Sequence, residues 1–203
     1  MIYHLLYPLH TSFAAFNVFR YITFRTIYAS LTAFLICFLL GPYVIRRLSR
    51  MQVGQYIRED GPQDHLKKAG TPTMGGVLII FAVVGATFLW ADLTNRYVWI
   101  TLLATLGFGA IGFTDDYLMQ VKKRNLGLTP RQKLLLQVLL ALLVGWLVTL
   151  VPEFTTKVSV PFFKRLNPDP GWGYIFFAGL IIVSASNAVN LTDGMDGLAS
   201  GCT

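Results

Sequence analysis

Five long apolar runs decide what this chain can become. They cover about Ile27–Ile45, Met74–Leu93, Tyr97–Phe113, Leu134–Val151 and Trp172–Val189. Each is close to the roughly 20 residues that an α-helix needs to cross a bilayer. Within them the only charged residue is Asp92, at the end of the second run. A helix on the surface of a soluble protein carries a polar face, and these runs carry none. The expected fold class is therefore all-α: a polytopic transmembrane helix bundle with about five spans and the start of a sixth, read as a single integral-membrane domain over residues 1–203. Composition agrees, since only 13% of residues are charged against about 25% in an ordinary soluble domain.

The charges then set the orientation. The net charge of +7 would suit a nucleic-acid partner if it formed one basic patch, but it is divided among loops. Residues 46–73 hold Arg46, Arg47, Arg50, Arg58, Lys67 and Lys68, and residues 114–133 hold Lys122, Lys123, Arg124, Arg131 and Lys133. The loops on the opposite side hold only Arg96, Lys157, Lys164 and Arg165. Loops rich in Lys and Arg stay in the cytoplasm. Both basic loops are thus expected inside, the N-terminus outside, and the segment 190–198 after the fifth run inside. The expected partner is a lipid bilayer and no nucleic acid. Residues 1–26 are aromatic and suit a membrane interface, where Tyr and Phe are favoured. No basic stretch precedes the first long run and no small-residue cleavage site follows it, so no cleaved signal peptide is expected. Two cysteines, Cys37 inside an apolar run and Cys202, give no disulfide framework.

This topology collects four carboxylates at span ends on the cytoplasmic side. Asp115 and Asp116 follow the third run, and Asp193 and Asp196 follow the fifth. Neighbouring carboxylates repel unless a cation or a proton lies between them. A hard cation with oxygen ligands that bridges to substrate phosphates, Mg²⁺, fits such a pair. In the fifth run's polar end a polar residue recurs every third position, at Asn187, Asn190, Asp193 and Asp196, with Gly194 and Gly197 interleaved. That spacing keeps side chains near one side of a helical turn, and glycine lets backbone approach a ligand. A helix end followed by an ordinary polar loop would look the same. Lys67, Lys68, Lys122, Lys123 and Lys133 can neutralise phosphates as point charges, or serve only as topology determinants. Gly75-Gly76 can turn helix amides toward an anion, or allow close helix packing. The residues therefore indicate a cytoplasmic, Mg²⁺-dependent site for a phosphorylated substrate at the lipid boundary.

Three motifs carry a resemblance. They are Asp60-Gly-Pro62 with His65, Lys68 and Gly70-Thr-Pro-Thr-Met-Gly-Gly76; Gly112-Phe-Thr-Asp-Asp-Tyr117; and Asn187-Ala-Val-Asn-Leu-Thr-Asp-Gly-Met-Asp-Gly-Leu-Ala199. Together they resemble the phospho-N-acetylmuramoyl-pentapeptide transferases, within the polyprenyl-phosphate N-acetylhexosamine-1-phosphate transferase family. The resemblance implies transfer of phospho-MurNAc-pentapeptide from UDP to undecaprenyl phosphate in the bacterial inner membrane, giving lipid I and UMP. It implies that Asp115 and Asp116 are the paired catalytic aspartates and candidate Mg²⁺ ligands. It also implies substrate contacts at Lys68, Thr73, Lys133, Asn187, Asn190, Asp193, Gly194 and Asp196. A base role for an aspartate needs a raised Asp pKa or is a small effect, because a phosphate monoester has a second pKa near 6 and free Asp lies at about 3.9. A covalent aspartyl-phosphate is the other mechanism that the resemblance brings.

This sequence departs from the family pattern at Met195, where Leu is common, and at Met119, where many members have Lys. The family also carries further spans, a further Mg²⁺-holding aspartate and a His-rich motif beyond the residues present here. The expectation is an N-terminal half that is inactive alone. A sister enzyme using UDP-N-acetylglucosamine, and a non-catalytic membrane remnant, remain as alternatives, and association into a homodimer is left open. A cation transporter would place ionisable groups near the bilayer midplane, and the runs have none there.

Overall fold

The structure is a computed structural model that describes residues 1–51, 75–120, 127–160, 162–163 and 166–192. Among the described residues there is no strand. The chain divides into two compact units, Met1–Leu128 and Thr129–Thr203.

The first unit begins with a short helix, α1 (Ile2–Leu6), and two 3-10 helices, Tyr7–Thr11 and Ala14–Arg20. Three longer helices follow: α2 (Ile22–Met51), α3 (Gly76–Trp90) and α4 (Arg96–Gln120). Small residues one turn apart let α3 lie close against α2, and Ala82 and Ala86 are fully buried there. The Trp90 indole N–H donates to Thr32 Oγ1 at 2.9 Å, and the Thr32 hydroxyl donates onward to the Tyr28 carbonyl at 2.7 Å. The N-terminal amine of Met1 donates to the carbonyls of Phe88 at 2.7 Å and Leu89 at 3.1 Å. These belong to the last turn of α3, where carbonyls have no partner within the helix and a positive charge suits the helix dipole.

The second unit holds α5 (Pro130–Thr149) and α6 (Gly173–Thr192). The start of α5 is written into its sequence. Thr129 Oγ1 accepts the Gln132 N–H, Gln132 Oε1 accepts the Thr129 N–H, and Pro130 occupies the first turn. This reciprocal cap satisfies two otherwise orphaned donors, and proline there loses no helical bond. Gly145 on α5 faces Ile175 on α6, Leu142 faces Gly179, and Gln137 bonds Asn187. Rising residue numbers on one helix meet falling numbers on the other, so the pair is antiparallel.

Among the described residues four helical segments are long and apolar enough to span a membrane: Ile22–Leu48, Arg96–Met119, Pro130–Thr149 and Gly173–Asn190. Large side chains such as Phe34, Phe38 and Leu39 are exposed along α2, an arrangement suited to lipid rather than water. The second expected span is shorter than its apolar run. Instead of Met74–Leu93, α3 has 15 residues, about 22 Å at 1.5 Å per residue. Its C-terminal stop has a local cause. Asp92 Oδ1 accepts both the N–H and the hydroxyl of Thr94, so a side-chain turn competes with helix, and Ala91 is already extended at φ −72° and ψ 157°. The expected start of a sixth span lies outside the described residues.

Candidate active site

Helix α4 runs past the third apolar run to Gln120, so Asp115 and Asp116 stand near its C-terminal end. Two adjacent carboxylates there face mutual repulsion and the negative end of the helix dipole. Part of this is offset within the first unit: Asp115 Oδ1 accepts the Leu128 N–H at 2.9 Å. The partner amide follows Gly127, which is buried and has φ +55°.

Lys133 lies in the first turn of α5 and is half-buried. With Arg131 it puts two cations at the positive end of a helix whose first turn holds no acidic residue. That placement costs a few tenths of a kcal/mol or more in an isolated helix and favours a nearby anion. Asn187 and Asn190 lie in the last turns of α6. Asn187 Nδ2 donates to Gln137 Oε1 and to the Val183 carbonyl, each at 2.9 Å. Both amide hydrogens are thereby engaged inside the helix pair, and what Asn187 offers a ligand is its amide oxygen. The α5–α6 register brings Asn190 level with the first turn of α5, the turn that carries Lys133. Lys68, Thr73, Asp193, Gly194 and Asp196 lie outside the described residues.

Sequence reasoning did not single out Gln137, Gly127 or Leu128. The signal for Gln137 was available: it is the one amide in an otherwise apolar run, Leu134–Val151, and a buried polar group needs a partner. Gln137 is 4% exposed. Nothing in the sequence around Gly127 announced its neighbour 12 positions back.

As to metal, among the described residues no group of three or more His, Cys, Asp and Glu is placed to hold an ion. The two adjacent carboxylates nonetheless match how Mg²⁺ is held, through one or two carboxylates with waters and substrate phosphates completing the shell. A cleft of about 390 Å³ in the first unit, bordered by Arg25, Thr26, Thr87, Trp90, Asp92 and Asn95, is elsewhere. It lies at the other end of α4, about 30 Å from the aspartates at 1.5 Å per residue, and has no counterpart in the expected site.

Residues 98–203 match the profile of glycosyl transferase family 4. The chain belongs to this family. Within the family-4 chain, residues 68–80 match a second, shorter pattern, phospho-N-acetylmuramoyl-pentapeptide-transferase signature 1. Three relatives named phospho-N-acetylmuramoyl-pentapeptide-transferase are similar along almost all of it. That of Desulforapulum autotrophicum is 65% identical over 201 residues, 99% of this chain and 56% of the relative. That of Desulfatibacillum aliphaticivorans is 66% identical over 200 residues, 98% and 56% of the two chains. That of Syntrophus aciditrophicus is 59% identical over 201 residues, again 99% and 56%. The chain thus spans about half the length of the curated relatives it matches.

Proposed function

We propose that this family-4 chain carries part of the active site of a transferase that moves phospho-N-acetylmuramoyl-pentapeptide from UDP to undecaprenyl phosphate. The observation that carries the reading is 65% identity over 201 residues to a relative bearing that enzyme's name. The signature over residues 68–80 favours the muramoyl substrate over UDP-N-acetylglucosamine.

In the proposed reaction an oxygen of the lipid phosphate bonds to the β-phosphorus of the UDP-sugar. The bond from that phosphorus to the bridging oxygen breaks, giving lipid I and UMP. Such transfers depend on positioning and charge stabilisation more than on covalent steps by the protein. Asp115 and Asp116 would hold Mg²⁺, which when bound supplies neutralising charge to the phosphates. Lys68 and Lys133 offer point charges to phosphate oxygens. Thr73, Asn187, Asn190, Asp193, Gly194 and Asp196 are assigned to substrate contact, with the last five around the uridine. The reading places the chain in the bacterial inner membrane with its N-terminus outside and its site facing the cytoplasm, on the strength of the Lys and Arg distribution among the loops.

The test is transfer of radiolabelled phospho-MurNAc-pentapeptide in membranes, with and without Mg²⁺. The 203-residue chain is assayed alone and co-expressed with the remainder of the Desulforapulum relative. The expected result is Mg²⁺-dependent lipid I only with the second polypeptide, abolished by Asp116→Asn. Transfer by the chain alone would overturn the incomplete-site reading. Silence in both, with both polypeptides in the membrane, would overturn the transferase reading for this chain.

A further inference from the structure

We propose that Gly127 is a positioning residue for Asp115, holding one of the two adjacent carboxylates in a fixed pose; the catalytic meaning of this rests on the transferase reading above. Of the two adjacent aspartates, Asp115 is met by main chain from the segment that precedes α5. Asp115 Oδ1 accepts the Leu128 N–H at 2.9 Å across 13 residues of chain. That bond requires the backbone at 127 to lie directly on the carboxylate. A Cβ added at Gly127 would overlap Asp115 Oδ1, and it would stand 2.9 Å from Met119 Cγ and 3.0 Å from the Asp115 carbonyl oxygen. Two of these three neighbours are the aspartate itself, and one of those is backbone, which cannot swing aside. The φ of +55° adds a second requirement, since side-chain-bearing residues rarely adopt it.

An ordinary turn glycine needs the positive φ and nothing more. At Gly127 the missing side chain is also the space in which Asp115 is held. Any residue other than glycine must displace the carboxylate, rotate it off Leu128, or open the segment. Asp115 is therefore fixed at one oxygen by main chain, as a ligand for a cation must be if a misplacement of about 1 Å costs on the order of a hundredfold in rate. The same contact makes the chain entering α5 dependent on the carboxylate at the end of α4.

The test reads the carboxylate directly. The detergent-purified 203-residue chain is labelled with a carbodiimide and a nucleophile, and the extents at Asp115 and Asp116 are separated by fragment mass spectrometry. Asp169 serves as internal reference. Gly127→Ala is expected to change the labelling rate of Asp115 several-fold and to leave Asp169 unchanged. Gly127→Asn separates the two requirements, because Asn tolerates positive φ but carries a Cβ. It is expected to resemble Gly127→Ala. Labelling of Asp115 at the wild-type rate in Gly127→Ala, or a Gly127→Asn chain indistinguishable from wild type, would overturn the proposal. Should Gly127→Ala fold but be too unstable to label, the Asp115→Ala background decides. With the carboxylate removed, the added methyl is expected to lower the melting temperature by less, and an equal loss in both backgrounds overturns the clamp. In the two-polypeptide transfer assay, Gly127→Ala is expected to lower kcat while KM for the UDP-sugar stays within about twofold. A fall in both parameters together, or unchanged kcat, overturns the positioning role. A silent wild type in that assay counts against the transferase reading alone, because the labelling result does not depend on turnover.

Discussion

Two helix contacts, one in each unit, use glycine for different ends. Where α3 meets α4, Gly109 makes room for the tip of Ile80, and the atom that an added Cβ would strike is Ile80 Cδ1. Where α5 meets α6, an added Cβ at Gly145 would lie 3.1 Å from the Ile175 carbonyl oxygen and 3.5 Å from its Cα. The first neighbour is the end of a flexible side chain and the second is main chain. Gly179 makes room from the other side for a side-chain tip, Leu142 Cδ2 at 3.1 Å. Small residues that let backbones approach are what holds helices together in lipid, where burial from water gives no drive. The α5–α6 contact is therefore fixed in register, whereas the α3–α4 contact can adjust.

The largest way to break this contrast is Gly145→Leu. Overpacking of this kind costs about 1–3 kcal/mol, and we expect the loss to appear as a lower midpoint in detergent unfolding. An unchanged midpoint would show that α5 and α6 do not meet at this glycine. Next comes the amide pair. A double-mutant cycle of Gln137→Leu and Asn187→Leu is expected to give a coupling of about 0.6 kcal/mol, with about 1.7 as a ceiling. Each single change should cost more than the double, because it leaves a buried amide without its partner. Strict additivity would mean that the hydrogen bond carries no weight.

A smaller effect separates the units by pH. Burial pushes the Asp92 carboxyl up, but its hydrogen bonds from Thr94, with the positive charges of His4 and Arg25, hold it below its usual value. A lowered folded value means that the stabilisation is present above the ordinary carboxylate range and is lost as pH falls through the lowered value. Asp92→Asn should therefore flatten the acid side of the melting curve. Asp169 in the second unit is also held low, by the Thr156 hydroxyl and the Gly171 N–H, but its bonds tie only its own loop. Asp169→Asn should change the acid limb less, and the reverse order would show that the contact of Asp92 with His4 of α1, 3.4 Å away, carries no stabilisation. The smallest effect is expected for Gly109→Ala, within about 0.5 kcal/mol, since Ile80 can turn aside. A loss as large as that of Gly145→Leu would erase the contrast.

What the sequence made legible follows the same division. Apolar length alone located the four long helices, and the adjacent aspartates were expected at the end of one of them. The polar spacing of three placed Asn187 and Asn190 on the end of α6. Hydropathy missed the early stop of α3, because Asp92 and Thr94 act through a side-chain turn that a window average does not register. It also missed what Asn187 touches. One face of an amide read as a ligand contact is in fact turned to Gln137, 50 positions away, and no local pattern encodes that pairing. Gly127 was invisible for a related reason: its meaning lies in the carboxylate folded back onto it.

The indole of Trp90 has an optical consequence. Its N–H is anchored to a hydroxyl of α2, and its ring sits against Phe19 and Tyr28. Separation of α3 from α2 would strip away that anchor and the Tyr28 ring together and alter the emission of this one fluorophore. With Trp99, Trp146 and Trp172 replaced by Phe, the integrity of the first unit could be followed in real time during insertion into vesicles, with no label added.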